Sequence, residues 1–253
     1  MSLLPSTTET FFALGLGDRV VGVSTYCDYP VEATRLPRVG AMVNPSFEGI
    51  VALRPDALVG VEGPVNLAVL ERLRARGVRT VFPRVESIAE VFASVDTFAR
   101  LAGEPGRAGP LRARIEADLG RVEAAVRGRP RPRTIAVFSV RPLVVAGTGS
   151  WVDEVLQRAG GVNAAQSRAR YPTISLEQFI AWAPEVILDM STMSRDNPGS
   201  DDLRAALSAH GSVAAVTSGR VYPLTDPMYV RQGPRVGAAA EGIARVLHPD
   251  ARW

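Results

Sequence analysis

The sequence contains no lysine, so all 29 of its basic residues are arginine, set against 26 acidic residues for a formal net charge of +3. The arginines are scattered along the chain instead of gathered in one patch, which argues against a nucleic-acid surface and fits the codon bias of a GC-rich genome. One cysteine, Cys27, excludes an intramolecular disulfide and leaves the redox compartment open. The two histidines, His210 and His248, show neither HxxxH nor HExxH spacing, and no protein-held metal centre or resident cofactor is expected. Gly147, Thr148, Gly149 and Ser150 lack both the Walker lysine and the rest of a GxGxxG fingerprint. No apolar run approaches the roughly 20 residues of a membrane span. The opening MSLLPSTTE has neither a basic n-region nor an apolar h-region, so an exported form would carry its address outside this numbering, and a cytoplasmic location stays open.

What is present reads as an α/β protein. With 253 residues, 46% hydrophobic and 22% charged, the chain suffices for one large domain or two lobes with separate cores. A short strand at Leu3 and Leu4 is followed by a helix whose Ser6 and Glu9 fit a capping box, and a strand is expected over 19–24. Helices are expected from Ser46 to about Leu53, over Leu67–Arg76, and over Ser87–Ala102, with strands at 56–61 and 77–82 between them. Strand and helix thus alternate across 1–104, the pattern of a layered lobe with a mainly parallel sheet.

Between 105 and 130, Leu111, Ile115, Leu119, Val122 and Val126 recur at spacings of 4, 4, 3 and 4. This predicts one amphipathic helix of about 20 residues and about 30 Å, a strut between two halves. The alternation resumes over 131–253, with strands at 134–140, 143–147, 185–190 and 220–224. Helices are expected over Ser150–Ala159, near Asp202–Ala209 and up to Leu247.

One phrase occurs in both halves. SFEGIVALRPDALV at 46–59 and SLEQFIAWAPEVIL at 175–188 share Ser46/Ser175, Glu48/Glu177, Ala52/Ala181 and Pro55/Pro184 without gaps. Helix initiation alone accounts for an acid in a first turn, where it complements the helix dipole by about 0.3–1 kcal/mol. Two carboxylates repeated at the same place in each half would equally suit a two-fold symmetric partner. Both readings stand on the residues alone.

Ligands of open α/β sheets bind beyond the carboxyl ends of the strands. The loops there hold Tyr26, Tyr29 and Met42 in the first half and Tyr171, Met228, Tyr229, Arg231 and Arg235 in the second. Aromatic and thioether groups supply adaptable apolar contact, and arginine can anchor carboxylates, phosphates or amides. Trp182, aligned with Leu53 in the repeat, is expected in the core, whereas Trp151 could serve core or ligand.

LLPSTTETFFALGLGDRVVGVSTYCDYP, NPSFEGIVALRPDALVG, AGGVN and ISLEQFIAWAPEVIL together resemble the solute-binding proteins of ABC importers for metal chelates. The resemblance is to the helical-backbone class (class III), and within it to the vitamin B12 (cobalamin) binding branch. It implies two Rossmann-like lobes, 1–104 and 131–253, joined by one long backbone helix at 105–130, with ligand held in a shallow cleft. It also implies a monomeric, periplasmic or otherwise extracytoplasmic binding protein without enzymatic activity, delivering a corrinoid to a permease. By matching, Glu48 and Glu177 fall on the permease-docking glutamates, and Tyr29, Met42, Tyr171, Met228 and Arg231 fall on ligand-facing positions. Met42, Tyr171 and Met228 stand where cobalamin binders carry tryptophan, which brings haem or a ferric siderophore forward as alternatives. A nucleotide-cofactor enzyme is the reading from another class, and the missing phosphate loop opposes it.

Overall fold

The computed structural model describes residues 1–60, 66–191, 203, 205, 207 and 213–253. Two compact units divide the chain: Met1–Ile115 with Arg231–Pro234, and Glu116–Val230 with Arg235–Trp253. Both are α/β, with parallel-rich sheets.

In the first unit, β1 (Ala57–Val59) runs parallel to β2 (Arg79–Val81), pairing Leu58 with Thr80. Beyond β1, among the described residues, the sheet continues as single parallel bridges, Val59 to Ser2, Ser2 to Val23 and Val23 to Arg38. The spatial order is therefore third, second, first, fourth, fifth in chain sequence, the doubly wound arrangement whose switch point lies between the first and fourth strands. The strand expected over 19–24 is corrected: Gly17–Arg19 is a 3-10 turn, and Val23 alone of that stretch bridges its neighbours. The core packs Leu3, Val39, Phe47, Ile50, Leu58, Leu70 and Leu73.

The helix α1 (Pro5–Ala13) begins one residue before the expected cap, and the capping box at Ser6 and Glu9 is corrected. Leu4 is the N-cap without a side-chain cap bond, and Pro5 fills the first helical position, where its missing N–H costs nothing. Ser6 is consequently inside the helix, and its carbonyl accepts from Thr10 Oγ1 at 2.8 Å. The next helices, α2 (Phe47–Ala52), α3 (Leu67–Arg74) and α4 (Ile88–Leu101), lie close to their expected bounds. Ser87 accepts from the Glu90 amide at 3.2 Å, while the Glu90 carboxylate reaches back to the Glu86 amide at 2.8 Å.

The long helix α5 runs unbroken from Ala108 to Val126, after a 3-10 turn at Pro105–Arg107. Leu111, Ile115, Leu119, Val122 and Val126, the residues of the sequence stripe, are all buried. The boundary between the two units falls inside this helix.

In the second unit, β3 (Arg133–Val140) is the hub. It pairs in parallel with β6 (Val186–Asp189), which pairs in parallel with β7 (Val221–Pro223). Its other edge is shared by β4 (Leu143–Val145), antiparallel to its end, and the two-residue β5 (Val162–Asn163), parallel to its start. Among the helices described here are α6 (Trp151–Arg158), α7 (Leu176–Ala181) and a closing helix, Val236–Leu247. Ile135, Val137, Phe179, Trp182, Ile187, Leu203 and Leu207 form the core, so Trp182 is where the repeat placed it. Trp151 is 1% exposed, which resolves its role as packing. Sequence patterning missed β5 and the one-turn helix Ala214–Thr217. Val61, His210 and most of the helix expected at 202–209 lie outside the described residues.

Candidate functional site

The repeated phrase folds the same way in each unit. Ser46 caps α2 by accepting from the Gly49 amide at 3.1 Å, and Ser175 caps α7 by accepting from the Gln178 amide at 3.2 Å. Six helical residues and one cap residue, Leu53 or Trp182, follow in both cases, and then a residue with positive φ, Arg54 at 45° and Ala183 at 44°. Pro55 or Pro184 comes next, and β1 or β6 begins two residues later. Glu48 and Glu177 occupy the second helical position of their turns, and both are exposed. Glu48 is 82% exposed at its side chain, with Arg72 Nη2 3.9 Å from Oε1. The Arg72 guanidinium also lies 3.5 Å above the Phe47 ring, covering the apolar neighbour of that acid.

At the carboxyl end of the first unit's strands, two loops are tied together. The Thr25 amide donates to the Gly40 carbonyl at 2.9 Å, and Arg38 Nη1 donates to the Ser24 carbonyl, also at 2.9 Å. Beneath them, Thr8 Oγ1 donates to Cys27 Sγ at 3.2 Å and lies 2.9 Å from Ser2 Oγ, so the lone thiol is a buried packing group. The backbone between these anchors pushes Tyr26, Tyr29, Val31 and Val43 outward, at 56%, 46%, 62% and 45% exposure. Four exposed large apolar residues on two adjoining loops make an apolar surface where the fold places ligands. Met42 is half-buried on the second loop.

Arg231 belongs to this unit and is already engaged. Its Nη1 donates to Asp28 Oδ1 at 2.6 Å and to Glu9 Oε1 at 3.0 Å, and its Nη2 donates to Asp28 Oδ2 at 3.0 Å. Burial pulls the guanidinium pKa down, but hydrogen bonds and charges from Asp28 and Glu9 outweigh this and raise it above the ordinary arginine value. Asp28 was not singled out in the sequence, and Glu9 was expected there only as the acid of a capping box. A carboxylate among Thr8, Thr10 and Phe11 in an apolar helix was the available signal for Glu9.

In the second unit, Tyr171 sits on a loop stitched to the turn before α6. The Gly147 amide donates to the Arg170 carbonyl at 2.8 Å, and a Cβ at Gly147 would come 2.0 Å from the Ala169 carbonyl oxygen, so only glycine fits. Tyr171 meets Phe138 edge-on, with centroids 5.2 Å apart, and remains 45% exposed. Burial of its hydroxyl raises the phenol pKa, partly offset by the Trp151 backbone N–H and Arg170. Met228 lies half-buried in a 3-10 turn, Pro227–Tyr229, capped by Asp226 Oδ1 at 2.8 Å from the Met228 amide. The expected ligand-facing residues thus form two sets, Tyr29, Met42 and Arg231 in one unit and Tyr171 and Met228 in the other.

A family profile described as periplasmic binding protein matches residues 1–228. The chain belongs to the periplasmic binding protein family. A vitamin B12-binding protein of Yersinia pestis (strain Pestoides F) is 30% identical over 250 residues, covering 98% of this chain and 85% of that protein. Among solved structures, the haem-binding protein RhuT from Roseiflexus sp. RS-1 is 28% identical with a TM-score of 0.82, covering 98% of this chain and 97% of that one. The vitamin B12-binding protein BtuF of Vibrio cholerae is 25% identical with a TM-score of 0.79, covering 98% and 95%. The resemblance to chelate-binding members of the helical-backbone class is borne out, and these relatives are named as binding proteins. No helix among the described residues is long and apolar enough to cross a membrane.

Proposed function

We propose that this periplasmic binding protein captures a corrinoid, cobalamin or a close relative, outside the cytoplasm, performs no chemistry on it, and delivers it to an ABC permease. The full-length similarity to vitamin B12-binding proteins carries the reading. The exposed apolar surface around Tyr26, Tyr29 and Val43 supports it, because a flat macrocycle offers a large apolar face to such a surface. Tyr29, Met42, Tyr171 and Met228 are its proposed contacts. Glu48 and Glu177, set identically on exposed first turns in the two units, are the proposed docking acids for the permease. Calorimetric titration with cyanocobalamin and dicyanocobinamide tests the proposal, with binding at micromolar concentration or below expected and no heat at these concentrations counting against a corrinoid.

Haem is the second reading, favoured by the exposed Tyr29 phenol, which could ligate iron. Burial raises the pKa of Tyr171, which makes its phenolate harder to form. Haemin binding with a shifted Soret band, lost in Tyr29→Phe, would decide for it.

A further inference from the structure

We propose that Arg231 is a positioning residue, clamped by Glu9 and Asp28 so that it holds the Tyr26–Tyr29 loop in its ligand-receiving shape instead of anchoring the ligand's own anionic groups. The ligand part of this inference rests on the tetrapyrrole reading above.

The guanidinium is saturated from within its own unit. Its two terminal nitrogens reach both oxygens of Asp28, one oxygen of Glu9, and the Tyr26 carbonyl at 3.4 Å. Paired donation from one arginine to a carboxylate fixes orientation as well as distance. Two carboxylates around one cation leave the group with a net negative charge, the wrong sign to attract a carboxylate or phosphate on a ligand.

Burial shows which partner is fixed and which is held. The Glu9 side chain is 1% exposed on α1 and Arg231 is 14% exposed, whereas Asp28 is 58% exposed on the loop. A carboxylate as buried as Glu9 needs its cation, so the Glu9–Arg231 pair is the fixed post and Asp28 with Tyr26 is the mobile part tied to it. The tetrapeptide carrying Arg231 is seated independently: a Cβ on Gly233 would come 3.3–3.5 Å from Ser6 atoms in the first turn of α1. On its other side the loop is tied by the Thr8–Cys27 contact, the Cys27 amide to the Ser24 carbonyl at 3.2 Å and the Thr25 amide to the Gly40 carbonyl at 2.9 Å. The clamp therefore closes on the residues either side of Cys27, the stretch from which Tyr26 and Tyr29 project.

Arg231→Lys, Glu9→Gln and Asp28→Asn in the full chain test this in two ways. The first needs no ligand: hydrogen exchange at amides 24–29 is expected to quicken roughly tenfold or more in Arg231→Lys, on the scale of one lost charge-assisted hydrogen bond. Exchange in β3 and β6 should stay unchanged. Unaltered exchange at 24–29 would overturn the proposal. The second compares affinities for haemin, which bears two propionates, and dicyanocobinamide, which bears no carboxylate. A positioning role predicts the same fold-loss for each, whereas a loss confined to haemin would make Arg231 a direct anchor and overturn the proposal. Should the wild-type protein bind neither, the tetrapyrrole reading fails, and exchange alone decides the clamp. Asp28→Asn touches only the exposed partner, so it gives the same readouts if Glu9→Gln does not fold.

Discussion

Replacing Arg54 or Ala183 by glycine should stabilise the protein. Each sits just past the end of its helix with φ near 45°. That is the left-handed region, which costs a residue with a Cβ about 1–2 kcal/mol. Glycine removes this cost but releases more conformational entropy in the unfolded chain, worth about 0.4–1 kcal/mol in the opposite sense. Both residues are exposed, so no packing is lost with the side chain. The difference favours glycine by roughly 0.5–1 kcal/mol at each site. For a chain of this size that raises Tm by about 1–4 °C, and the effects should add because the two sites lie in different units. Urea titration and thermal melts of Arg54→Gly, Ala183→Gly and the double variant would measure it. Ala181→Gly, at the exposed last residue of α7, is the control and should lose stability, by at most about 1 kcal/mol. A loss of stability at either left-handed site, or opposite signs at the two, would refute the claim that the repeated phrase is one structural device used twice.

Further outcomes follow from the same geometry. Ile115, fully buried in the long helix, should cost about 2–5 kcal/mol when cut to alanine, read by urea denaturation. His248 is held below its ordinary pKa chiefly by burial, so its neutral form is favoured by folding. Its contribution is then complete above about pH 6.5 and is lost as pH falls towards the depressed folded value. His248→Gln should accordingly flatten the acid side of the stability profile. Charge reversal at Glu48 and Glu177 should abolish permease binding in a pull-down while leaving ligand affinity within about twofold, since surface changes of this kind barely perturb folding. Equal loss of ligand affinity would return those acids to helix initiation alone.

The α/β alternation, the long helix and the repeated phrase were legible because each rests on local pattern: a 3.6-residue stripe, a serine cap, a proline stop. In the first unit the bounds of the strands at Ser2, Val23 and Arg38 were not, since each is reduced to a bridging residue and needs its neighbours to exist at all. Ser6 and Glu9 matched a capping box by spacing, yet Pro5 had already started the helix, which freed Glu9 for a partner 222 residues away. No periodicity can report a contact at that separation. The same distance hid the part played by Asp28, while the placing of Tyr29, Met42, Tyr171 and Met228 on loops could be read because loop position at strand ends is itself a sequence property.

Ligand capture is tested most directly by native mass spectrometry of the protein mixed with equimolar dicyanocobinamide and haemin at micromolar concentration. One tetrapyrrole adduct per chain is expected, the corrinoid in preference. A bare chain in the presence of both would contradict it.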